Sequence, residues 1–215
     1  MIKIKKDKNV IKSKMPKKQA IVVSFLWYIL AMSLYLLFTS CKKVDDNGFK
    51  TYTISKGSHY SDGKLDKLYG NDNKKNSWQW QVIFDSSAIY ETQNPLNQLD
   101  VNKLLGFSDC GNHHSTSSHR IGWRYNNGLE LLSYNRNNGN FLFQSISTIT
   151  INDVINIEMA FSNENYIVCI DGICDTMPRT CSTWTGRKFA LWPYFGGDES
   201  APHDITIKIK KYNAR

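Results

Sequence analysis

Absences narrow this sequence before any motif does. It contains no internal repeat and no low-complexity segment, and its one long apolar run lies near the N-terminus. The chain beyond that run is long enough for one domain with a sizeable core and too short for two. The formal net charge of +8 would suit a nucleic-acid binder, but the excess is confined to one end. Eight lysines against Asp7 alone fall within Met1–Gln19, which leaves 19 basic and 18 acidic side chains, a net +1, in residues 41–215. So nearly neutral a domain lacks the footprint of a phosphate-backbone binder, and no nucleic-acid partner is expected. The five cysteines lack zinc-ligand spacing, and no histidine lies near Cys169–Cys181. No metal and no cofactor are therefore expected.

The N-terminus does contain a basic head, an apolar run from Ala20 to Phe38 broken only by Ser24 and Ser33, and then Thr39-Ser40-Cys41. A basic head, an apolar middle and small residues before the break make a secretory signal. The segment Leu37-Phe38-Thr39-Ser40-Cys41 resembles the bacterial lipobox, which implies lipid attachment at Cys41. The expected organisation is a signal peptide over 1–40, a tether over 41–48 and a domain over 49–215. An uncleaved membrane anchor is the alternative, because a largely apolar run of nineteen residues is nearly a bilayer span. Either reading places the domain outside the cytoplasmic membrane. The charged stretch Lys42 to Asn47 is similar to tethers that sort some lipoproteins to the outer cell surface.

An exported domain with four remaining cysteines favours disulfides. Asp171-Gly172 between two apolar runs is a strong signal for a two-residue hairpin. That turn sets Ile170 opposite Ile173 and Cys169 opposite Cys174, close enough for a cross-strand bridge. Cys110 and Cys181 pair by default.

Period-two patterning runs through the rest. Trp78, Trp80, Val82 and Phe84 share one face of a strand, and their continuity makes the tryptophans core rather than a sugar platform. Further strands begin at Thr51, Phe141, Ile155, Tyr166, Phe189 and Ile205, whereas Leu96–Phe107 reads as a short helix ended by Gly106. The hairpin around Asn126-Asn127-Gly128 is the most informative. A three-residue loop sets Ile121, Trp123 and Tyr125 opposite Ser133, Leu131 and Leu129, and Arg120, Gly122 and Arg124 opposite Tyr134, Leu132 and Glu130; a two-residue loop would mix polar with apolar partners. One face is core, and the other carries the two arginines and Tyr134 around a glycine that leaves room above the sheet. With at least nine short strands, the chain is expected to be all-β, a sandwich of two antiparallel sheets.

Near the C-terminus, Phe189, Leu191, Pro193 and Phe195 alternate with Ala190, Trp192 and Tyr194, then Gly196-Gly197 turns the chain before Ile205, Ile207 and Ile209. The segment Tyr194–Ile209 resembles the end of concanavalin A-like jelly-roll proteins, in particular polysaccharide lyases, so a jelly roll is what the resemblance implies. Trp192 and Tyr194 would stack on sugar rings, while Arg120, Arg124 and Tyr134 would bind polar groups, guanidinium suiting a carboxylate or sulfate. Two arginines four residues apart, Arg120 and Arg124, and Tyr194-Phe195 are similar to alginate-type lyases. In their β-elimination, Tyr194 or Tyr134 would be the acid and His119, His113 or His114 the base. The Gln-x-His strand and the Tyr-x-Gln of those enzymes are absent, Gly196 replaces their lysine, and His119 falls on the face opposite Arg120. No Glu-x-Asp-x-x-Glu strand supports retaining glycosidase chemistry, which needs two close carboxylates. Asp198, Glu199 and Asp204 are oxygen ligands suited to calcium, but a surface loop is the simpler account. Three functions fit these features: a polysaccharide-binding envelope lipoprotein, a lyase on acidic polysaccharide, and a structural or adhesive envelope protein without a glycan site.

Overall fold

The computed structural model describes residues 44–62, 76–181 and 190–212. Cys41 and the signal segment lie outside the described residues. Of the expected tether, Val44 onward is described; it turns back on Asp45, which accepts from the Phe49 amide at 2.8 Å, and Val44 bridges to Lys50.

Eleven described strands form two antiparallel sheets. They are β1 (Lys50–Ile54), β2 (Ser77–Phe84), β3 (Asn102–Ser108), β4 (Ser117–Tyr125), β5 (Leu129–Asn137), β6 (Asn140–Ile149), β7 (Ile155–Phe161), β8 (Asn165–Ile170), β9 (Ile173–Pro178), β10 (Ala190–Leu191) and β11 (Ile205–Tyr212). One sheet has the order β1-β11-β2-β7-β8-β9, the other β10-β3-β4-β5-β6. Side chains alternate across a strand, so each apolar set of period two lands on one face. Trp78, Trp80, Val82 and Phe84 of β2 meet Ile121 and Trp123 of β4 and Leu129 and Leu131 of β5 in a single buried core. Aromatic contacts span the gap between the sheets, Trp78 to Phe107 at 5.1 Å and Phe84 to Trp123 at 5.4 Å between centroids.

The β4–β5 register is the one expected, from Tyr125 opposite Leu129 to Arg120 opposite Tyr134. Its loop takes positive φ at Asn127 (55°) as well as at Gly128 (158°), and asparagine is among the few non-glycine residues that tolerate that region. Cys169 faces Cys174 in the β8–β9 hairpin and is bonded to it, and Cys110 is bonded to Cys181. Beside the second bridge Arg179 donates to Asp109 at 2.7 Å, and Tyr166 donates to the same carboxylate at 2.9 Å, all deep in the fold.

Two local expectations are corrected. Leu96–Phe107 is not a helix: Pro95–Leu99 is a 3-10 turn capped by Asn94, and Asn102–Ser108 is strand β3. β3 is buried on both faces, so its apolar residues run together and carry no period of two. Its register also shifts between Lys103 and Leu105, and both Leu104 and Leu105 enter the core. The C-terminal segment is likewise not one continuous strand through Phe195. Pairing stops at Leu191, and Tyr194 then forms separate bridges to Lys103 and Tyr60. Pro193 has no N–H for a ladder, and the side-chain alternation breaks there.

Candidate functional site

The outer face of the five-stranded sheet is built by β4 and β5. With Ile121 and Trp123 turned inward, Arg120 and Arg124 point outward, opposite Tyr134 and Glu130. The same alternation carries one step beyond Tyr134 to Arg136, which sequence reasoning missed although the period predicts it. Arg120 is buried to 8% exposure, and its guanidinium donates to the His114 carbonyl at 3.4 Å. Burial and neighbouring Arg136 lower its pKa, opposed by Tyr134 and Tyr194, to about 10, so it remains charged at neutral pH.

Lys103 of β3 completes the cluster, and it too was missed, because it sits in the stretch that reads as helix. Its ammonium donates to the Val101 carbonyl at 2.6 Å and lies 4.8 Å from the Tyr134 ring centroid. Burial, then the charges of Arg120 and Arg136, hold its pKa down to about 8, against the pull of Asp100. Tyr194 exchanges backbone hydrogen bonds with Lys103, 2.8 Å each way, and its ring centroid is 6.0 Å from the ammonium. His59 stacks on Tyr194 at 5.4 Å and Tyr60 meets it edge-on at 5.2 Å, forming a wall with no signal in the sequence pattern. Burial and Tyr60 raise the Tyr194 pKa, while Arg120 opposes them.

The Tyr194-Phe195-Gly196-Gly197 segment supplies three different things to this arrangement. Tyr194 faces the cluster, while Phe195 is a core anchor packed 4.9 Å from Tyr90. Gly196 permits close approach: a Cβ there would stand 2.4 Å from the Val101 carbonyl and 2.7 Å from the Lys103 ammonium. The ammonium from β3 thus occupies the space a side chain at 196 would need. Asn102 fixes the glycine by accepting from its amide at 2.7 Å.

Other expected site residues lie elsewhere. Arg124 is ion-paired to Glu130 and donates to the Leu99 carbonyl at 3.1 Å. Burial pushes the Glu130 pKa up, but its bonds to Arg124 and Ser145 and the Arg124 charge hold it below the ordinary carboxylate value. Trp192 does not share the face of Tyr194: the broken alternation at Pro193 turns it inward, where it stacks on Tyr52 at 5.1 Å. His119 is fully buried on the inner face, stacked on Tyr166 at 4.6 Å, with neither ring nitrogen hydrogen-bonded. Burial lowers its pKa to about 3, opposed by Asp109, so it is neutral and out of reach of a ligand on the Arg120 face. His114 lies beside Arg120; burial, then Arg120, His113 and Arg136 lower its pKa to about 4. His113 packs at a tilt against His114 in a turn where His113 is exposed. The room expected above Gly122 is filled by Val101, whose Cγ1 would be 2.4 Å from a Cβ at 122. Val101, Leu132 and Tyr134 instead form a small apolar floor.

The acidic loop serves as a fastener. Glu199 accepts from the amides of Gln93 and Asn94 at 2.7 and 2.8 Å and from the Asn97 side chain, and Asp204 accepts from the Lys56 amide. The cluster of Lys103, Arg120 and Arg136 has no carboxylate in ion-pairing range among the described residues. Its charge is of the sign that suits an anion, and the partly buried Tyr194 stands beside it.

No protein-family model matches the chain, and no curated protein matches it. Among solved structures it is similar to alginate lyase AlyC3, with a TM-score of 0.58 at 10% identity over 80% of this chain and 77% of that one. It is also similar to AlyC3 in complex with dimannuronate, with a TM-score of 0.56 at 10% identity over 79% and 75%. Alginate lyase A1-II', a member of polysaccharide lyase family-7, gives a TM-score of 0.50 at 11% identity over 80% and 83%. At such identities the likeness is one of fold, and the fold is a two-sheet jelly roll.

Proposed function

We propose that this chain is an exported lipoprotein whose jelly-roll domain binds an acidic extracellular polysaccharide. The observation that carries the reading is the cluster of Lys103, Arg120 and Arg136, three mutually repelling cations gathered on one face of a domain that is almost neutral overall. Gathering unpaired cations costs energy, and an anionic ligand repays it by charge-assisted bonds. Tyr194 borders them with aromatic surface and a hydroxyl donor, while Tyr134 is buried beneath them. The solved structures of similar fold include an alginate lyase bound to dimannuronate, a polymer unit of this chemical class. Cys41 would anchor the domain to the membrane, displayed on the outer cell surface.

The test is calorimetric titration of the soluble domain with alginate, polygalacturonate and a neutral glucan. Uronate polymers should bind and the glucan should not. Arg136→Ala should weaken binding by about tenfold or more, the worth of one charge-assisted hydrogen bond, and added salt should weaken it further. Equal binding of neutral and acidic polymers would refute the reading. Radiolabelled palmitate incorporation lost in Cys41→Ser checks the anchor.

A second reading, β-elimination, is favoured by one observation: an ammonium held down to about 8 stands beside Tyr194 and Arg120. Neutral Lys103 would take the proton from the ring carbon next to the carboxylate, which Arg120 neutralises. The adjacent C–O glycosidic bond then breaks as the C=C bond forms, and Tyr194 gives its proton to the departing oxygen. Unsaturated product absorbs in the ultraviolet, so its rate should climb with pH through about 8 as Lys103 deprotonates. Lys103→Met should abolish it. Absence of that absorbance on every uronate polymer leaves binding as the function.

A further inference from the structure

The last strand of the five-stranded sheet carries a surface that the cation cluster does not account for. β6 opens with Phe141, Leu142 and Phe143, between 42% and 55% exposed, and then turns polar through Gln144, Ser145, Ser147 and Thr148. The register sets Phe143 opposite Tyr134 and Phe141 opposite Arg136. Both rings therefore stand on the face that carries Arg120. Neither belongs to the core.

The rings are aligned although only half-buried. Tyr134 and Phe141 are parallel to within 3° with centroids 6.3 Å apart, and Phe141 and Phe143 to within 4° at 6.2 Å. The Arg136 guanidinium lies 5.1 Å from the Phe141 centroid and 6.0 Å from that of Tyr134, held by a 2.7 Å bond to the Gly139 carbonyl. A guanidinium against an aromatic face keeps N–H groups available at its edge. Large apolar side chains grouped in water mark an interaction surface, since folding gains nothing from leaving them there. Aromatic faces joined to a guanidinium that pairs with no described carboxylate match one kind of sugar residue: a pyranose with an apolar C–H face and a carboxylate at its rim.

We propose that Phe141 and Phe143, with the Arg136 guanidinium that they share with the cation cluster, form a second subsite beside the Lys103–Arg120 pair that takes a further uronate residue of the same polysaccharide chain. The proposal rests on the acidic-polysaccharide reading and extends it across the β5–β6 edge. Charge selects this occupant over an apolar partner, because Arg136 has no carboxylate in ion-pairing range among the described residues. A second copy of the chain, pairing on β6, the end strand of its sheet among the described residues, is the competing occupant.

The experiment compares alginate disaccharide and hexasaccharide on the wild-type domain and on Phe141→Ser/Phe143→Ser, with sedimentation of both proteins. Wild type should bind the hexasaccharide more tightly, and the double variant should lose about tenfold on the hexasaccharide, an aromatic contact's worth, with the disaccharide unchanged. Phe143→Trp should keep the hexasaccharide affinity. The exposed positions leave melting temperature as a control for folding. If wild type binds hexasaccharide and the double variant matches it, the subsite is overturned while the binding function stands. If wild type binds no acidic saccharide at all, the function itself fails and the subsite with it. A wild-type dimer that the double variant dissolves, with saccharide affinity intact, assigns the strip to self-association and overturns the proposal.

Discussion

Gly196 shows how a single residue without a side chain can organise a site. Any Cβ there would meet the Val101 carbonyl and the Lys103 ammonium at 2.4 and 2.7 Å. Gly196→Ala should therefore displace Lys103 and lower stability by about 1–3 kcal/mol, the usual cost of overpacking, read as a drop in chemical-denaturation midpoint. His119 makes a second prediction at this scale. Its folded pKa, about 3, lies below the unfolded value near 6.5, so the unfolded chain binds the extra proton first. Stability should be full above pH about 6.5 and fall as pH drops toward 3, by a few kcal/mol at most. In His119→Leu that slope should flatten; an unchanged slope would assign the acid sensitivity to other groups. The positions that sequence reasoning placed correctly on the outer face, Arg120, Arg124 and Tyr134, are those whose neighbours at i±2 share their environment. Trp192 was misplaced because one broken ladder step beside Pro193 reverses every face beyond it.

At the scale of elements, legibility depends on how many faces a strand buries. The β4–β5 hairpin has one apolar and one polar face, so only one register satisfies it, and the observed pairing agrees. β3 is buried along nearly its whole length, with Leu104, Leu105 and Phe107 in the core and Tyr194 bridged to its edge at Lys103. Its sequence therefore looks as much like a buried helix as a strand, and Lys103 was hidden with it. The two disulfides were legible for different reasons: the Asp171-Gly172 turn sets one by geometry, whereas the other needs the fold to bring its ends together. They close loops of 5 and 71 residues in sequence separation. In the chain-entropy account, Cys110→Ala/Cys181→Ala should cost about 4 kcal/mol and Cys169→Ala/Cys174→Ala about 2. Equilibrium unfolding of the two variants measures the difference, and equal losses would show that local packing, not loop closure, dominates.

Over the whole molecule, the charge distribution is the feature that separates compartment from function. The lysines of the first nineteen residues belong with the expected export signal, and the domain behind them has hardly any net charge. Its cations are nevertheless concentrated, with Lys103, Arg120 and Arg136 drawn from three adjacent strands onto one sheet face. Such a patch should make ligand binding salt-sensitive while thermal stability changes little with salt, since the patch is small against the core. Titrating both quantities over the same range of sodium chloride checks the separation.

By itself the sequence determined the all-β sandwich, most strand faces, the β4–β5 and β8–β9 registers and the Cys169–Cys174 bridge, because each depends on alternation or turn chemistry between neighbours; Cys110 with Cys181 followed only by elimination. It also named Arg120, Tyr134 and Tyr194. Only the tertiary structure decided which residues join them. Lys103 reaches the cluster through a bulged strand, Trp192 leaves it at a ladder break, and His119 is sealed inside by strand parity and by Tyr166 from the opposite sheet. Those outcomes depend on contacts between segments far apart in the chain, which the local periodicity of a sequence does not encode.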